Sequence, residues 1–373
     1  MRLQRERRML LSHPRLRSIR LPVRRSLWMV KGGISYFGSN RVNKPIASSI
    51  VLALMVAGGC ASSSNGVATV EDPRTVLARQ LERDVRALAD DVGVRDVDHP
   101  RQAAAAAAYV EGRFRQIGRG RVSVQPYDVG GTTHRNVCLE VAGTEKPDEV
   151  VVVGAHYDTA RGTPGADDNA SGVSGVMELS RRFAADPAPR TVRFVAFGTE
   201  EPPNIRTKHM GSFHYARLCR ERNDNLVAMM SVEMIGTFSD APGTQRSPPL
   251  MSGYPTVGNF LLFVGDTSVG PLVRHSREVF TRHDGMPAEV MVGPRFMPGV
   301  NSSDQWSFWQ WNYPGIMVTD TAHWRNANYH KPDDTAEKLN YPEMARAVEG
   351  LAAVLRSWAG GGSVPTTAPA SAR

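Results

Sequence analysis

The sequence predicts an α/β protein, a three-layer α/β/α sandwich around a mixed, mostly parallel central sheet. Between residues 73 and 358, short apolar runs typical of buried strands alternate with segments of helical periodicity. The runs 150–153 and 191–198 are almost continuously apolar, as expected of strands that are covered on both faces. Helices between successive buried strands are the connections that parallel strands require.

Two helices are expected ahead of the first strand. Asp72 and Pro73 are residue types typical of a helix N-cap and of the first helical position. Leu77, Leu81 and Val85 follow at helical spacing. A second helix is predicted over residues 98–118, and its alanine run indicates helix propensity rather than a functional element.

The remaining elements alternate along the chain. Strands are predicted at residues 121–127, 136–141, 149–156, 192–197, 226–235, 259–265, 289–292 and 315–319. Helices are predicted at residues 171–185, 210–218, 269–282 and 341–358. Two stretches rich in Pro, Gly and Ser, residues 239–258 and 294–305, are interpreted as loops.

Residues 1–59 are interpreted as a leader segment. A region rich in Arg and Lys is followed by apolar or small residues at 46–59, a pattern typical of an export signal. The apolar part is shorter than the roughly 20 residues that a membrane helix needs. Ala-Gly-Gly before Cys60 resembles a bacterial lipoprotein signal, which implies a lipid on Cys60 and a periplasmic or cell-envelope location. An uncleaved anchor is the alternative.

The rest of the chain is expected to contain one folded domain. Residues 60–72 are small and polar and are interpreted as a tether, and the domain spans residues 73–359. Residues 360–373 are rich in Gly, Pro, Ser, Thr and Ala, which predicts a disordered tail.

The net charge of +8 belongs to the leader. Of 45 basic and 37 acidic residues, 12 and 1 precede Cys60, so the remaining chain carries 33 basic and 36 acidic residues. We therefore expect no nucleic-acid partner. Cys138 and Cys219 are the two later cysteines, which excludes a disulfide framework and a cysteine-based zinc site but leaves a single bridge open.

Acidic residues and a histidine lie at or near the ends of three predicted strands. His156 and Asp158 lie at the exit of the first, Glu200 and Glu201 follow the second, and Glu233 lies near the end of the third, which is apolar except for Ser231 and Glu233. An acid in such a run is costly unless a positive group meets it. Because the carboxyl ends of parallel strands share one edge of a sheet, these side chains indicate a metal site. Histidine and carboxylate ligands suit zinc.

The ordered set of motifs resembles the M28 family of zinc peptidases. It comprises His-x-Asp at 156–158, Gly-Ala-Asp-Asp-Asn-Ala-Ser-Gly at 165–172, Glu-Glu at 200–201, the acid at 233, and Tyr-His at 329–330 before Asp-Thr. Each piece alone is a weak signal, whereas the set in this order is specific and covers residues 72–358. Most members studied are aminopeptidases, so the resemblance implies an enzyme that acts on the N-terminus of a peptide or protein.

The resemblance implies two zinc ions and assigns five residues as their ligands. Asp168 would bridge the two ions. His156 and Glu233 would complete one ion, and Glu201 and His330 would complete the other. Many members have Asp at the position of Glu233. The glutamate side chain is one methylene longer and can still reach the metal ion.

Three further residues receive roles from the resemblance. Asp158 would orient the metal-binding histidine through its second ring nitrogen. Glu200 would be the general base, which takes a proton from the attacking water and passes one to the leaving amine. Tyr329 would support the oxyanion of the tetrahedral intermediate. Arg325 fits either an anchor for a substrate carboxylate or a structural ion-pair partner.

Two other functions are compatible with the same motifs. One is a glutaminyl-cyclase-like transferase with a single zinc, and the other is a binding lipoprotein of this fold without catalytic activity. The complete ligand set and the base favour the peptidase. The sequence has neither a Gly-x-Ser-x-Gly nor a His-Glu-x-x-His motif, which argues against a serine hydrolase and a zincin-type site.

Overall fold

The computed structural model describes residues 71–247 and 253–365. These residues form eight strands: β1 (Arg121–Val129), β2 (Thr132–Val141), β3 (Lys146–His156), β4 (Arg190–Phe197), β5 (Asn225–Glu233), β6 (Leu261–Asp266), β7 (Ala288–Gly293) and β8 (Gly315–Thr319). They also form seven α-helices: α1 (Pro73–Arg86), α2 (Pro100–Gln116), α3 (Gly172–Ala185), α4 (Gly211–Glu221), α5 (Gly270–Asp284), α6 (Gln305–Trp309) and α7 (Tyr341–Ala359). The predicted leader, most of the tether and the last eight residues of the predicted tail lie outside the described residues.

The strands form one mixed sheet in the order β1-β2-β4-β3-β5-β8-β6-β7. The four central strands β4, β3, β5 and β8 are parallel, and β7 pairs in parallel with β6. Antiparallel pairing joins β1 to β2, β2 to β4, and β6 to β8. The predicted mixed, mostly parallel sheet is confirmed. The carboxyl ends of the four central strands therefore lie at one edge.

Helices cover both faces of the sheet, as predicted for a three-layer sandwich. The main core lies between the sheet and α1, α2, α3, α5 and α7. A smaller core on the other face contains side chains of α4 and α6, including Tyr215, Cys219 and Phe308. The central strands are largely buried because both faces are packed, and every residue of β4 and β8 is buried. This explains why their sequences are almost continuously apolar.

Local residue chemistry explains two of the element boundaries. The Asp72 carboxylate accepts a hydrogen bond from the Thr75 backbone N–H at 3.1 Å, which confirms the predicted cap of α1. Gly130 and Gly131 both have positive φ values, 58° and 81°, and form the tight turn that joins β1 to β2. This turn lets both strands extend further toward it than the sequence predicts.

The structure corrects two of the sequence predictions about loops. The short helix α6 begins at Gln305, the last residue of a stretch predicted as a loop, and its five residues are too few to show helical periodicity. The first part of the predicted disordered tail is bound to the domain: Arg190 and Lys146 donate hydrogen bonds to the carbonyls of Gly362 and Gly361, at 2.7 and 2.6 Å.

The sequence leaves open whether Cys138 and Cys219 form a disulfide and whether a segment of the chain crosses a membrane. Cys138 and Cys219 are buried free thiols. Among the described residues, no helix has the length and apolar character that a membrane crossing would need.

Candidate metal centre

The predicted site residues lie at the carboxyl edge of the four central strands. His156 and Glu233 are the last residues of β3 and β5. Glu200 and Glu201 follow the end of β4 at Phe197. Each side chain is held at the point where a buried strand meets a loop, which is where open α/β sheets place their ligands.

Asp168 lies at the centre of the site, in the loop between β3 and α3. It is 2% exposed. Its Oδ1 is 3.3 Å from His156 Nε2, and its Oδ2 is 3.1 Å from His330 Nε2. The two oxygens of one carboxylate therefore face two different histidines, and this geometry suits a ligand shared between two metal ions.

Two clusters of ligand atoms share this aspartate. In the first, Glu233 Oε2 lies 3.3 Å from His156 Nε2. In the second, Glu201 Oε2 lies 3.2 Å from His330 Nε2. Within each cluster the ligand atoms, including that of Asp168, all lie within 4.8 Å of one another. The structure thus brings together all five ligands that the sequence predicts, in the predicted groups.

The chemistry of these atoms fits bound cations. Glu200 Oε1 and Glu201 Oε1 are buried without a hydrogen-bond partner among the described residues, and the contacts of Asp168 Oδ1 and His330 Nε2 given above lack hydrogen-bond geometry. Burial raises the pKa of Glu201 to about 8, with the Asp168 carboxylate adding to the effect. Burial also raises the pKa of Glu200 well above its ordinary value. Several carboxylates in one buried site repel one another, and zinc would remove that repulsion.

Glu200 and Glu201 are adjacent in sequence but differ in position. Glu201 lies beside His330, whereas Glu200 lies on the His156 side, with its Oε2 3.9 Å from His156 Nε2. Ligand atoms of His156, Glu200 and Glu201 also lie within 4.8 Å of one another, so distance alone does not separate a base from a ligand here. The unpartnered Oε1 of Glu200 is the atom that fits a base.

Asp158 contacts the site differently from the prediction. His156 Nδ1 is 3.1 Å from the backbone carbonyl of Asp158, whereas the carboxylate is 3.6 Å away. The carboxylate instead accepts hydrogen bonds from the backbone N–H groups of Glu200 and Glu201, at 3.0 and 3.1 Å. Asp158 therefore orients the histidine mainly through its main chain, and its carboxylate holds the loop that carries both glutamates.

Asp334 is a site residue to which the sequence analysis assigned no role. Its two carboxylate oxygens accept hydrogen bonds from the backbone N–H groups of Asp167 and Asp168, both at 3.1 Å. It thereby fixes the backbone that carries the shared carboxylate. The only sequence signal is its place in the Asp-Thr pair that follows His330, which does not reveal what it contacts.

Two residues for which the sequence predicts no contact with Glu233 hold its side chain. Ser303 Oγ donates a hydrogen bond to Glu233 Oε2 at 2.7 Å, and Asn169 Nδ2 lies 3.3 Å from the same oxygen. The Ser303 hydroxyl is in turn 2.9 Å from the Ser231 hydroxyl. Because a glutamate has one more rotatable bond than aspartate, these contacts fix a side chain that would otherwise be freer.

Replacing Ser303 by Ala is expected to weaken zinc binding by about 10- to 100-fold, because Glu233 loses its shortest hydrogen bond. Competition against a chromophoric chelator measures this affinity. Ser307→Ala is the matched control, since Ser307 is also buried and bonds a serine, Ser212, at 2.8 Å. Equal zinc affinity in the two variants would show that Ser303 does not position Glu233.

The turns that present the ligands have unusual backbone conformations. Thr199, Met234 and His330 have φ values of 55°, 52° and 56°, in the left-handed region that residues other than glycine seldom adopt. Thr199 precedes the glutamate pair, and Met234 follows Glu233. Such strain persists only where the surroundings enforce it, and it concentrates at functional sites.

The structure also places Tyr329 and Arg325. The Tyr329 ring stacks on the His330 ring, with centroids 3.8 Å apart, so it supports the imidazole. Arg325 is buried: its Nε donates to Gln245 at 2.8 Å, and its guanidinium lies 4.6 Å from the centre of the Phe260 ring. Of the two alternatives for Arg325, these contacts favour the structural role.

A buried arginine near the site was not selected from the sequence. Arg95 is fully buried and donates to backbone carbonyls on both sides, including Leu88 at 3.1 Å, Tyr157 at 2.6 Å and Gly165 at 2.9 Å. Arg95 thereby connects the helical segment after α1, which contains Leu88, to the loop that contains Asp158. Burial lowers its pKa to about 10, although the nearby carboxylates, Asp158 first among them, oppose the shift.

Comparison with known proteins identifies the family. The model of Peptidase family M28 matches residues 136–355, which include every predicted ligand and the predicted base. The chain belongs to peptidase family M28. Membership of a peptidase family indicates a hydrolase, and similar proteins are named as probable zinc metalloproteases, so zinc is the metal expected in this site.

Three similar proteins illustrate the range of this M28 chain's relatives. The uncharacterized protein YfbL of Escherichia coli is 38% identical over 76% of this chain and 89% of its own length. A probable zinc metalloprotease of Pyrenophora tritici-repentis is 27% identical over 62% of this chain and 50% of its own length. BSAP, a zinc aminopeptidase from Bacillus subtilis, has a TM-score of 0.61 at 14% identity, over 75% of this chain and 94% of that structure. At 14% identity, the similarity to BSAP shows a shared fold only.

Proposed function

We propose that this M28 chain is an exported aminopeptidase that uses two zinc ions. The observation that carries the proposal is the geometry of Asp168, whose two oxygens face His156 at 3.3 Å and His330 at 3.1 Å. A site for one ion has no need of the second cluster, Glu201 and His330. This geometry therefore favours the two-ion peptidase over a single-zinc cyclase.

Each group of the site has a separate role in the proposed reaction. Two zinc ions would polarise the scissile carbonyl and lower the pKa of the attacking water. Glu200 takes the proton of that water and delivers a proton to the leaving amine. Tyr329, packed on His330, supplies a hydroxyl that supports the developing oxyanion.

The proposed substrate is the N-terminus of a peptide or protein. In this proposal, the free ammonium group lies near the acids of the site and the first peptide bond lies beside Glu200. The buried position of Glu200, which is 3% exposed, keeps competing water away from the proton transfer. The proposed location is the periplasm or cell envelope, with membrane contact through a lipid on Cys60. No nucleic-acid partner is proposed.

Metal analysis combined with substrate hydrolysis tests this function. We expect two zinc ions per purified chain, hydrolysis of aminoacyl chromogenic substrates, and loss of that activity with a chelator. Chelation is also expected to lower the thermal unfolding midpoint, because an ion that binds the folded state stabilises it. Added zinc should restore both properties.

The same measurements distinguish the other candidate functions. One zinc per chain together with cyclisation of N-terminal glutamine would indicate the transferase. Two zinc ions without hydrolysis of any aminoacyl or peptide substrate would indicate a binding protein. A blocked N-terminus on the substrate is the control, since an aminopeptidase requires the free amine.

A further inference from the structure

A second cavity lies away from the metal centre. It has a volume of about 460 Å³ and lies between α1, α2 and the last turns of α3. The helix α3 begins at Gly172, beside the site, and contributes the residues from Met177 onward to the cavity. No residue of the metal centre lines it. Its volume lies within the range of about 300–1,000 Å³ that is typical of small-molecule sites.

The cavity carries more positive than negative charge. Its lining contains four arginines and two acids, and both acids are already paired. Arg113 Nη2 donates to Asp84 at 3.1 Å, and Arg181 binds both oxygens of Glu178, at 2.8 and 2.7 Å. Asp84 also accepts a hydrogen bond from the Tyr109 hydroxyl at 2.7 Å.

Two of the four arginines have no side-chain partner among the described residues. Arg83, on α1, and Arg119, between α2 and β1, are exposed, and neither guanidinium forms an ion pair or hydrogen bond with any residue in the described parts of the chain. The same cavity has an apolar part formed by Leu81, Ile117 and Met177. Unpaired guanidinium groups beside an apolar wall suit a ligand with an anionic group on a less polar body.

We propose that this cavity binds a phosphate group carried on a small organic body. Phosphate offers several oxygens to guanidinium groups that approach from two segments, and arginine matches this geometry with pairs of hydrogen bonds. Arg83 and Arg119 hold the phosphate, and the apolar wall contacts the remainder. A soluble phosphate ester and the headgroup of an anionic phospholipid share this chemistry.

The test compares three forms of the full chain: wild type, Arg83→Gln/Arg119→Gln, and the control Arg101→Gln/Arg222→Gln. The control removes two exposed arginines that lie outside the cavity and have no described side-chain partner. The probes are inorganic phosphate, glycerol 3-phosphate, and vesicles of phosphatidylcholine with or without phosphatidylglycerol. Binding is measured by calorimetry for the soluble probes and by co-sedimentation for the vesicles, and zinc content and hydrolysis are recorded in parallel.

We expect the cavity variant to bind its probe more than about tenfold less tightly than wild type and the control to stay within about twofold. Binding of a soluble probe identifies a free ester, and binding of phosphatidylglycerol vesicles alone identifies the headgroup. Either result supports the proposal. Absence of binding to every probe, or equal loss in the control, overturns it. Because zinc content and hydrolysis report on the metal centre alone, failure here is distinguishable from failure of the proposed peptidase function.

Discussion

Replacing Glu200 by Gln is expected to lower the turnover number by about 10²- to 10⁴-fold and to leave the zinc content unchanged. Glutamine keeps the size of the side chain but cannot take a proton from water. The loss follows from the position of Glu200, whose Oε1 is buried and has no hydrogen-bond partner in the described structure. Burial also raises the pKa of Glu200 above its ordinary value, which makes its carboxylate a stronger base than that of an exposed glutamate.

Glu201→Gln is the matched comparison, because the same change is made one residue along the chain. Glu201 Oε2 lies 3.2 Å from His330 Nε2 within a ligand cluster, so this variant should lose zinc as well as activity. Metal analysis of the two dialysed variants, alongside initial rates at saturating zinc, separates a base from a ligand. Full activity of a zinc-loaded Glu200→Gln enzyme would rule out the assignment of Glu200 as the base.

Replacing Asp168 by Asn is expected to have the largest effect on metal binding. The amide has one acceptor oxygen, so it cannot face both histidines as the two carboxylate oxygens do. Both clusters lose their shared ligand, and we expect zinc affinity to fall by more than the roughly 100-fold that loss of an outer hydrogen bond costs. Hydrolysis should fall with it, because neither cluster remains complete.

Equilibrium dialysis with zinc measures this change directly. The control is Asp333→Asn, since Asp333 is exposed and lies in the loop after His330 without a ligand role. Circular dichroism of each variant shows that the fold is retained. Retention of two zinc ions by Asp168→Asn would mean that the two clusters are independent and that Asp168 is not a shared ligand.

His156, Glu201 and Glu233 could be predicted as metal ligands from the sequence because each lies at or near the end of an apolar run. His156 and Glu233 interrupt apolar runs at the point where the strand ends, and the glutamate pair follows the second run. Since parallel strands end at one edge of the sheet, these separate patterns converge without further information. The order of the motifs then assigned Asp168 and His330 to the same site.

The residues that position the ligands could not be predicted from local sequence patterns. Asp334 lies 167 residues from Asp167, whose backbone it holds, and Ser303 lies 70 residues from Glu233. A single serine or aspartate in a loop carries no periodicity and no strand exit to mark it. The role of Asp158 also required the fold, because its carboxylate contacts the backbone after β4 rather than the histidine two residues before it.

By itself, the sequence predicted the class of the fold and the alternation of its strands and helices, because hydrophobic periodicity is a local property. The order of motifs that resembles the M28 family predicted the metal-binding side chains. The tertiary structure alone decided which oxygen of Asp168 faces which histidine, which hydroxyl holds Glu233, and where Arg83 and Arg119 meet around a cavity. Arg83 and Arg119 line the same cavity without any described contact between them. The other features depend on contacts between segments that are far apart in the chain, and only packing brings them together.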